Sequence, residues 1–142
     1  MSTALSAPLA AAMETARAEL VAFGLDWPGQ EKWGDDSPVF RRAVAEPALA
    51  EFKVAEVVRH LVDRGEAVAI ANEYIVSTTA FADLLDRLRA GFAVAPEMAF
   101  GEFRELSGLT RKLGIPMLEY LDDRNYTVRR GDVRVAGSAL GD

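Results

Sequence analysis

Thr110 to Ala136 reads TRKLGIPMLEYLDDRNYTVRRGDVRVA, a helix signal followed at once by a hairpin signal. Thr110 stands at an N-cap position, and the helix it opens is expected to run to about Arg124. Thr127–Arg130 and Val133–Ala136 then read as short strands around Gly131-Asp132, where a glycine first in a two-residue loop predicts a type II′ turn. In that register Arg130 faces Val133, Arg129 faces Arg134 and Val128 faces Val135. A helix closed by such a hairpin, with two helices before it, is the winged-helix variant of helix-turn-helix.

The two earlier helices are present. Thr78 or Thr79 caps one that carries Phe81, Leu84, Leu85, Leu88 and Phe92, and a short one carrying Phe100, Phe103 and Leu106 ends at Gly108. A shift of about 60 residues then superposes the chain on itself. Phe40 falls on Phe100, Leu49 on Leu109, Leu61 on Leu121, Asp63-Arg64 on Asp123-Arg124, and Val68 on Val128. The first copy begins with a helix behind Ser6-Ala7, with Pro8 as its first helical residue and Leu9, Met13, Ala16, Leu20 and Phe23 as one apolar stripe. After Gly24, a loop from Leu25 to Ser37 holds Trp27 and Trp33. A short helix from Ser37-Pro38 to Val44 and a longer one from Glu46-Pro47 to about Arg64 follow. Gly65 stops that helix, and Ala67–Ala71 and Glu73–Ser77 read as strands turning near Asn72. The expected fold is mainly α with short β-hairpins (α+β), as two tandem winged-helix domains: residues 1–77, an acidic spacer, and residues 78–142.

The fold demands the same core from both copies, so a function specific to one shows where they differ. At the start of the third helix, the recognition end in helix-turn-helix proteins, the second copy has Leu109-Thr110-Arg111-Lys112 where the first has Leu49-Ala50-Glu51-Phe52. The wing of the second copy carries Arg129, Arg130 and Arg134, whereas Ala69 to Tyr74 contains no cation. Like charges directly opposite are unfavourable by a few tenths to about 1 kcal/mol, so Arg129 facing Arg134 suggests an anion between them, phosphate above all. Whole, the 142-residue chain carries a net charge of −6, which argues against nucleic acid. Residues 1–76 hold seven cations against twelve anions, however, while Arg104 to Val135 holds seven against five.

Other chemistry is excluded or unsupported. There is no Cys and only one His, so neither a thiol nucleophile nor a Cys/His metal set is available, and no glycine precedes a lysine as a phosphate loop requires. No nucleophile–base pair emerges; neither an enzyme nor a cofactor is expected in this chain. Apolar runs fall well short of the roughly 18 residues of a membrane span, and a cytoplasmic protein is expected. His60 occupies the position of Tyr120 in the other copy and reads as a packing residue. Asp35-Asp36 and Asp122-Asp123 lack metal-binding partners. Surface arginines are often merely solvated, and Lys112 can simply balance Glu105 or Glu119 at small gain.

Phe103-Arg104-Glu105-Leu106-x-Gly108-x-Thr110-Arg111-Lys112, then Ile115-Pro116-Met117-Leu118-Glu119-Tyr120-Leu121-Asp122, Thr127 and Gly131-Asp132-x-Arg134, closely resemble the last winged helix of the bacterial selenocysteine-specific elongation factor, SelB. The resemblance covers about the final 40 residues; the first copy is similar to the preceding winged helix more weakly. It implies a reader of the selenocysteine insertion hairpin in messenger RNA, with Arg104, Thr110, Arg111, Lys112, Arg129, Arg130 and Arg134 as the RNA-binding residues. Val128 stands where relatives often carry another arginine, and Pro116 lies inside the third helix at the loss of one hydrogen bond. The family's GTPase and tRNA-binding domains have no counterpart in this sequence.

The implied partners are an mRNA stem-loop, the GTPase and tRNA-binding part of the factor, in cis or in trans, and through it the ribosome; no membrane is involved, and a monomer is expected. Two alternatives stay open on sequence. One is a DNA-binding winged-helix transcriptional regulator, which predicts duplex DNA and dimeric half-sites, and the other is a protein-interaction module that uses Trp27 or Trp33.

Overall fold

The computed structural model describes residues 7–25, 54–71 and 74–141. The loop with Trp27 and Trp33, the helix from Ser37 to Val44, the start of the helix after Pro47 and the turn at Asn72 lie outside them. In chain order the described elements are α1 (Ala7–Phe23), α2 (Val54–Asp63), β1 (Ala67–Ala71), β2 (Tyr74–Ser77), α3 (Thr78–Val94), β3 (Met98–Ala99), α4 (Phe100–Ser107), α5 (Arg111–Asp123), β4 (Thr127–Arg130) and β5 (Val133–Ala136). The architecture is the α+β winged helix, and no helix among the described residues is long and apolar enough to cross a membrane.

The repeat extends to individual hydrogen bonds. At the end of α2, Gly65 (φ 74°) donates its N–H to Val62 O and Glu66 to Leu61 O; at the end of α5, Asn125 (φ 63°) donates to Asp122 O and Tyr126 to Leu121 O. Both are Schellman endings, with a left-handed residue directing the chain into the hairpin. Glycine meets that requirement without strain, and asparagine is among the few other residues that tolerate it. Replacing Asn125 by glycine is therefore expected to leave stability within about 0.5 kcal/mol, whereas Asn125→Val, β-branched at positive φ, should lose about 1–2 kcal/mol in a urea titration.

The two hairpins differ by one residue. β4 and β5 pair without interruption, Thr127 with Ala136, Val128 with Val135, Arg129 with Arg134 and Arg130 with Val133. Between β1 and β2 the register slips between Ala69 and Ala71, so that Ala69 pairs with Ile75 and Ala71 with Tyr74. Gly131 has φ 64° while Asp132 does not, as a type II′ turn requires. The second hairpin also gains a strand that the sequence reading missed: β3 pairs Met98 with Arg134 and Ala99 with Val133, for a sheet order β3-β5-β4. Two residues are too few to show an alternating pattern.

The caps correct two expectations. Ser77, the last residue of β2, caps α3 by accepting from the Ala80 N–H, while Thr78 instead donates its hydroxyl to the Gly65 carbonyl at 2.7 Å. Thr110 occupies the N-cap position of α5, but its side chain makes no cap hydrogen bond. At the start of α4 the Glu102 carboxylate accepts from the Ala99 N–H, and alanine has no oxygen with which to reciprocate. Helix α5 continues through Pro116.

The core is one cluster running through both copies. Ala12, Met13, Ala16 and Leu20 of α1, Val57, Val58 and Leu61 of α2, and Phe81, Leu84 and Leu88 of α3 are buried with Phe103, Met117, Leu118 and Leu121. Phe81 meets Tyr120 and Tyr126 edge-on, with ring centroids 5.6 and 5.7 Å away. After β5 the chain turns back: Gly137 donates to Tyr126 O, Ala139 to Asn125 O, and Leu140 is buried, its carbonyl held by Arg89 Nε at 2.7 Å. The turn from the end of α5 into β4 is thereby fastened to the chain that follows β5.

Candidate nucleic-acid interface

The first residues of α5 and the wing enclose an open groove of about 420 Å³, lined by Phe100, Arg111, Ile115, Leu118, Glu119, Arg129, Asp132 and Arg134. Helical spacing supplies one wall. Arg111, Ile115 and Leu118 lie four and then three residues apart and share a face of α5. Strand pleating supplies the other, since Arg129 and Arg134 are direct cross-strand partners on one face of the hairpin. Phe100, at the start of α4, lies under the Arg111 guanidinium, whose central carbon is 5.6 Å from the ring centroid. Buried Gly114 packs beside that ring; a Cβ there would sit 3.4 Å from it, in van der Waals contact.

Of the seven residues singled out from sequence, Arg111, Arg129 and Arg134 line this groove. Arg104, Thr110, Lys112 and Arg130 do not, although all four are exposed. Lys112 follows Arg111 by one residue, about 100° further around the helix. Arg130 follows Arg129 on a strand and points to the opposite face. Helix α4 carries Arg104 in its last turn.

The anion expected between Arg129 and Arg134 needs correcting. Arg134 is already paired: its Nη2 lies 2.8 Å from Asp122 Oδ2 and its Nε 3.4 Å from Oδ1, so the guanidinium grips a carboxylate of α5 with both donors. The side chains are only 13% and 24% exposed. Asp122 Oδ1 also accepts from the Thr127 hydroxyl at 2.6 Å, and Thr127 is 1% exposed. Arg129 uses its Nε on the Gly131 carbonyl at 3.1 Å. The two arginines tolerate each other because an internal carboxylate cancels one of them, and no outside phosphate is needed for that.

Asp122 stands in the motif that carries the resemblance, but residue type alone gives it no role beyond half of an acidic pair without metal-binding partners. Phe100 reads from sequence as core, and Ile115, 40% exposed, is part of the same motif but not among the expected RNA-binding residues. The spacing of Arg111 and Ile115 was a usable signal for the latter. His60 is half-buried, as its counterpart Tyr120 is. Among the described residues no three His, Cys, Asp or Glu side chains gather as a metal site.

Residues 92–136 match the family model of the elongation factor SelB winged helix. Over 97 residues, 68% of this chain, the sequence is 36% identical to a selenocysteine-specific elongation factor of Desulfomicrobium baculatum, and the match covers 15% of that relative's length. Among solved structures, the chain is similar to the mRNA-binding domain of elongation factor SelB from E. coli in complex with SECIS RNA. The TM-score is 0.65 at 19% identity, over 94% of this chain and 100% of that one. It is also similar to a bacterial selenocysteine-specific elongation factor EF-Sec, with a TM-score of 0.62 at 22% identity, over 88% of this chain and 18% of that one. At such identities the structural likeness establishes the fold.

Proposed function

We propose, from the premise that the chain carries a winged helix of the elongation factor SelB family, that it is a module binding the selenocysteine insertion hairpin of a messenger RNA. The observation that carries this reading is the groove between α5 and the wing, with Arg111 and Arg129 on its two walls and Phe100 at its base. Arginine forks match phosphate and stack on bases, and the N-terminus of α5 adds a favourable dipole end for an anion. Exposed Arg104, Thr110, Lys112 and Arg130 flank the groove as backbone contacts that set register, while an unpaired base supplies discrimination, since proteins read RNA sequence where strands are open. Arg134 serves as a groove wall.

In this reading residues 78–142 are the reader and residues 1–77 an acidic spacer that keeps the reader away from the rest of the factor. The GTPase and tRNA-binding part, and through it the ribosome, are the other partners; the chain works as a monomer in the cytoplasm and contributes no catalytic step or cofactor. The resemblance of the E. coli domain, solved with SECIS RNA, supports the RNA class over a DNA regulator.

Titration with a hairpin carrying a bulged base, over a series of salt concentrations, tests this. Arg111→Ala and Lys112→Ala are each expected to reduce the slope of log affinity against log salt by about one. Unchanged affinity in both variants, or tighter binding of duplex DNA at equal salt, would overturn the assignment.

A further inference from the structure

We propose that Asp122 is a positioning residue of this groove: it aims the Arg134 guanidinium at nucleic acid while cancelling its charge. Arg134 then reads base edges or sugars by hydrogen bonding, and the unpaired cations around it hold phosphate. The proposal rests on the RNA-binding reading above and deepens it.

Three observations carry it. First, the carboxylate is held at three points, by two donors of Arg134 and by the Thr127 hydroxyl, so it cannot rotate away to admit a phosphate in its place. Second, a guanidinium offers five N–H donors, and Nε with one N–H of Nη2 satisfies Asp122, leaving the others for a ligand. Those remaining donors belong to a side chain that lines the groove.

Third, the chain contains its own control. In the first copy the positions of Asp122 and Thr127 are held by Val62 and Ala67, and the partner that faces Ala69, as Arg134 faces Arg129, is Ile75. The hairpin and the helix before it form there with no member of the trio. The trio is therefore not a requirement of the fold; all three residues occur together in the copy that bears the cationic groove and are replaced together in the other. A salt bridge kept only for stability would have no reason to follow the groove.

The test uses the full chain, a bulged hairpin and the same stem without the bulge, with folding of each variant followed by circular dichroism. Asp122→Asn keeps an acceptor for Thr127 and removes the charge opposite Arg134. Its salt slope should steepen by about one for both RNAs, and the preference for the bulged hairpin should fall about tenfold. The double variant with Arg134→Gln, which leaves neither charge, should return to the native slope while keeping the lowered preference, which a merely structural role for Asp122 does not predict. A slope of the double variant reduced by about one below the native value would make Arg134 a phosphate ligand and overturn the proposal, as would an unchanged slope in folded Asp122→Asn. If Asp122→Asn alone does not fold, the double variant, with no unpaired charge, decides by its slope and its preference. Native chain that binds neither RNA refutes the RNA-binding reading itself.

Discussion

Gly137→Ala is expected to cost about 3 kcal/mol or more, the largest effect of a methyl group added at any described glycine, and to lower the urea midpoint by about 1–3 M. A Cβ at this position would stand 2.1 Å from the Asn125 carbonyl oxygen, 2.7 Å from its carbon and 2.9 Å from the Tyr126 carbonyl carbon. All three are backbone atoms and cannot swing aside as a side chain can. Moving them strains the left-handed turn at Asn125, loosens the Gly137-to-Tyr126 and Ala139-to-Asn125 hydrogen bonds, and lifts Leu140 out of the core. Gly101→Ala is the control. It lies in α4 with nothing within 4 Å of the new Cβ, and should be neutral or gain up to about 1 kcal/mol from helix propensity.

Phe81→Ala should cost about 3–5 kcal/mol, the range for truncating a buried aromatic side chain. The ring is more than filler. It stands on α3 and presents edges or faces to Tyr120 of α5 and Tyr126 of the turn into β4, at centroid distances of 5.6 and 5.7 Å. Aromatic pairs of that geometry contribute about 0.5–1.5 kcal/mol beyond area burial. Phe81→Leu conserves most of the volume and discards both pairs, so it should lose about 1–3 kcal/mol. Thermal unfolding of the two variants separates the cavity from the ring contacts: a Phe81→Leu variant as stable as the native chain would mean that the edge contacts add nothing, and equal losses would mean that the cavity adds nothing.

Much of the frame was legible because it is local or periodic. The apolar stripe of α1, the glycine endings at Gly24, Gly65 and Gly108, and the Arg129–Arg134 register each follow from a few neighbouring residues and a fixed repeat. Short elements and long-range pairings were not. Strand β3 has only two residues, and its pairing with β5 joins positions more than thirty residues apart. The N-cap shifted from threonine to Ser77 because the Thr78 hydroxyl had a better acceptor in the Gly65 carbonyl, thirteen residues back in the chain.

Within the site, residue type pointed to the cations and geometry sorted them. Arg111 and Arg129 reach the groove while their immediate neighbours Lys112 and Arg130 are turned from it by helix phase and strand pleat. Asp122 stayed invisible because a carboxylate reads as surface until its partner twelve residues away is folded onto it. Counting arginines overstated the free positive charge of the wing, since one of the three is internally neutralised.

The absence of any linker between β2 and α3 has a mechanical consequence. Ser77 ends the strand and caps the helix, and Thr78 fastens the first helical turn to the end of α2 through Gly65. A swivel at this joint would have to break the strand's end, the cap and the threonine bond in one movement. The first copy also meets the groove's own helix directly, since β1 packs against α5, so the direction in which the groove points is inherited from the strands that precede it.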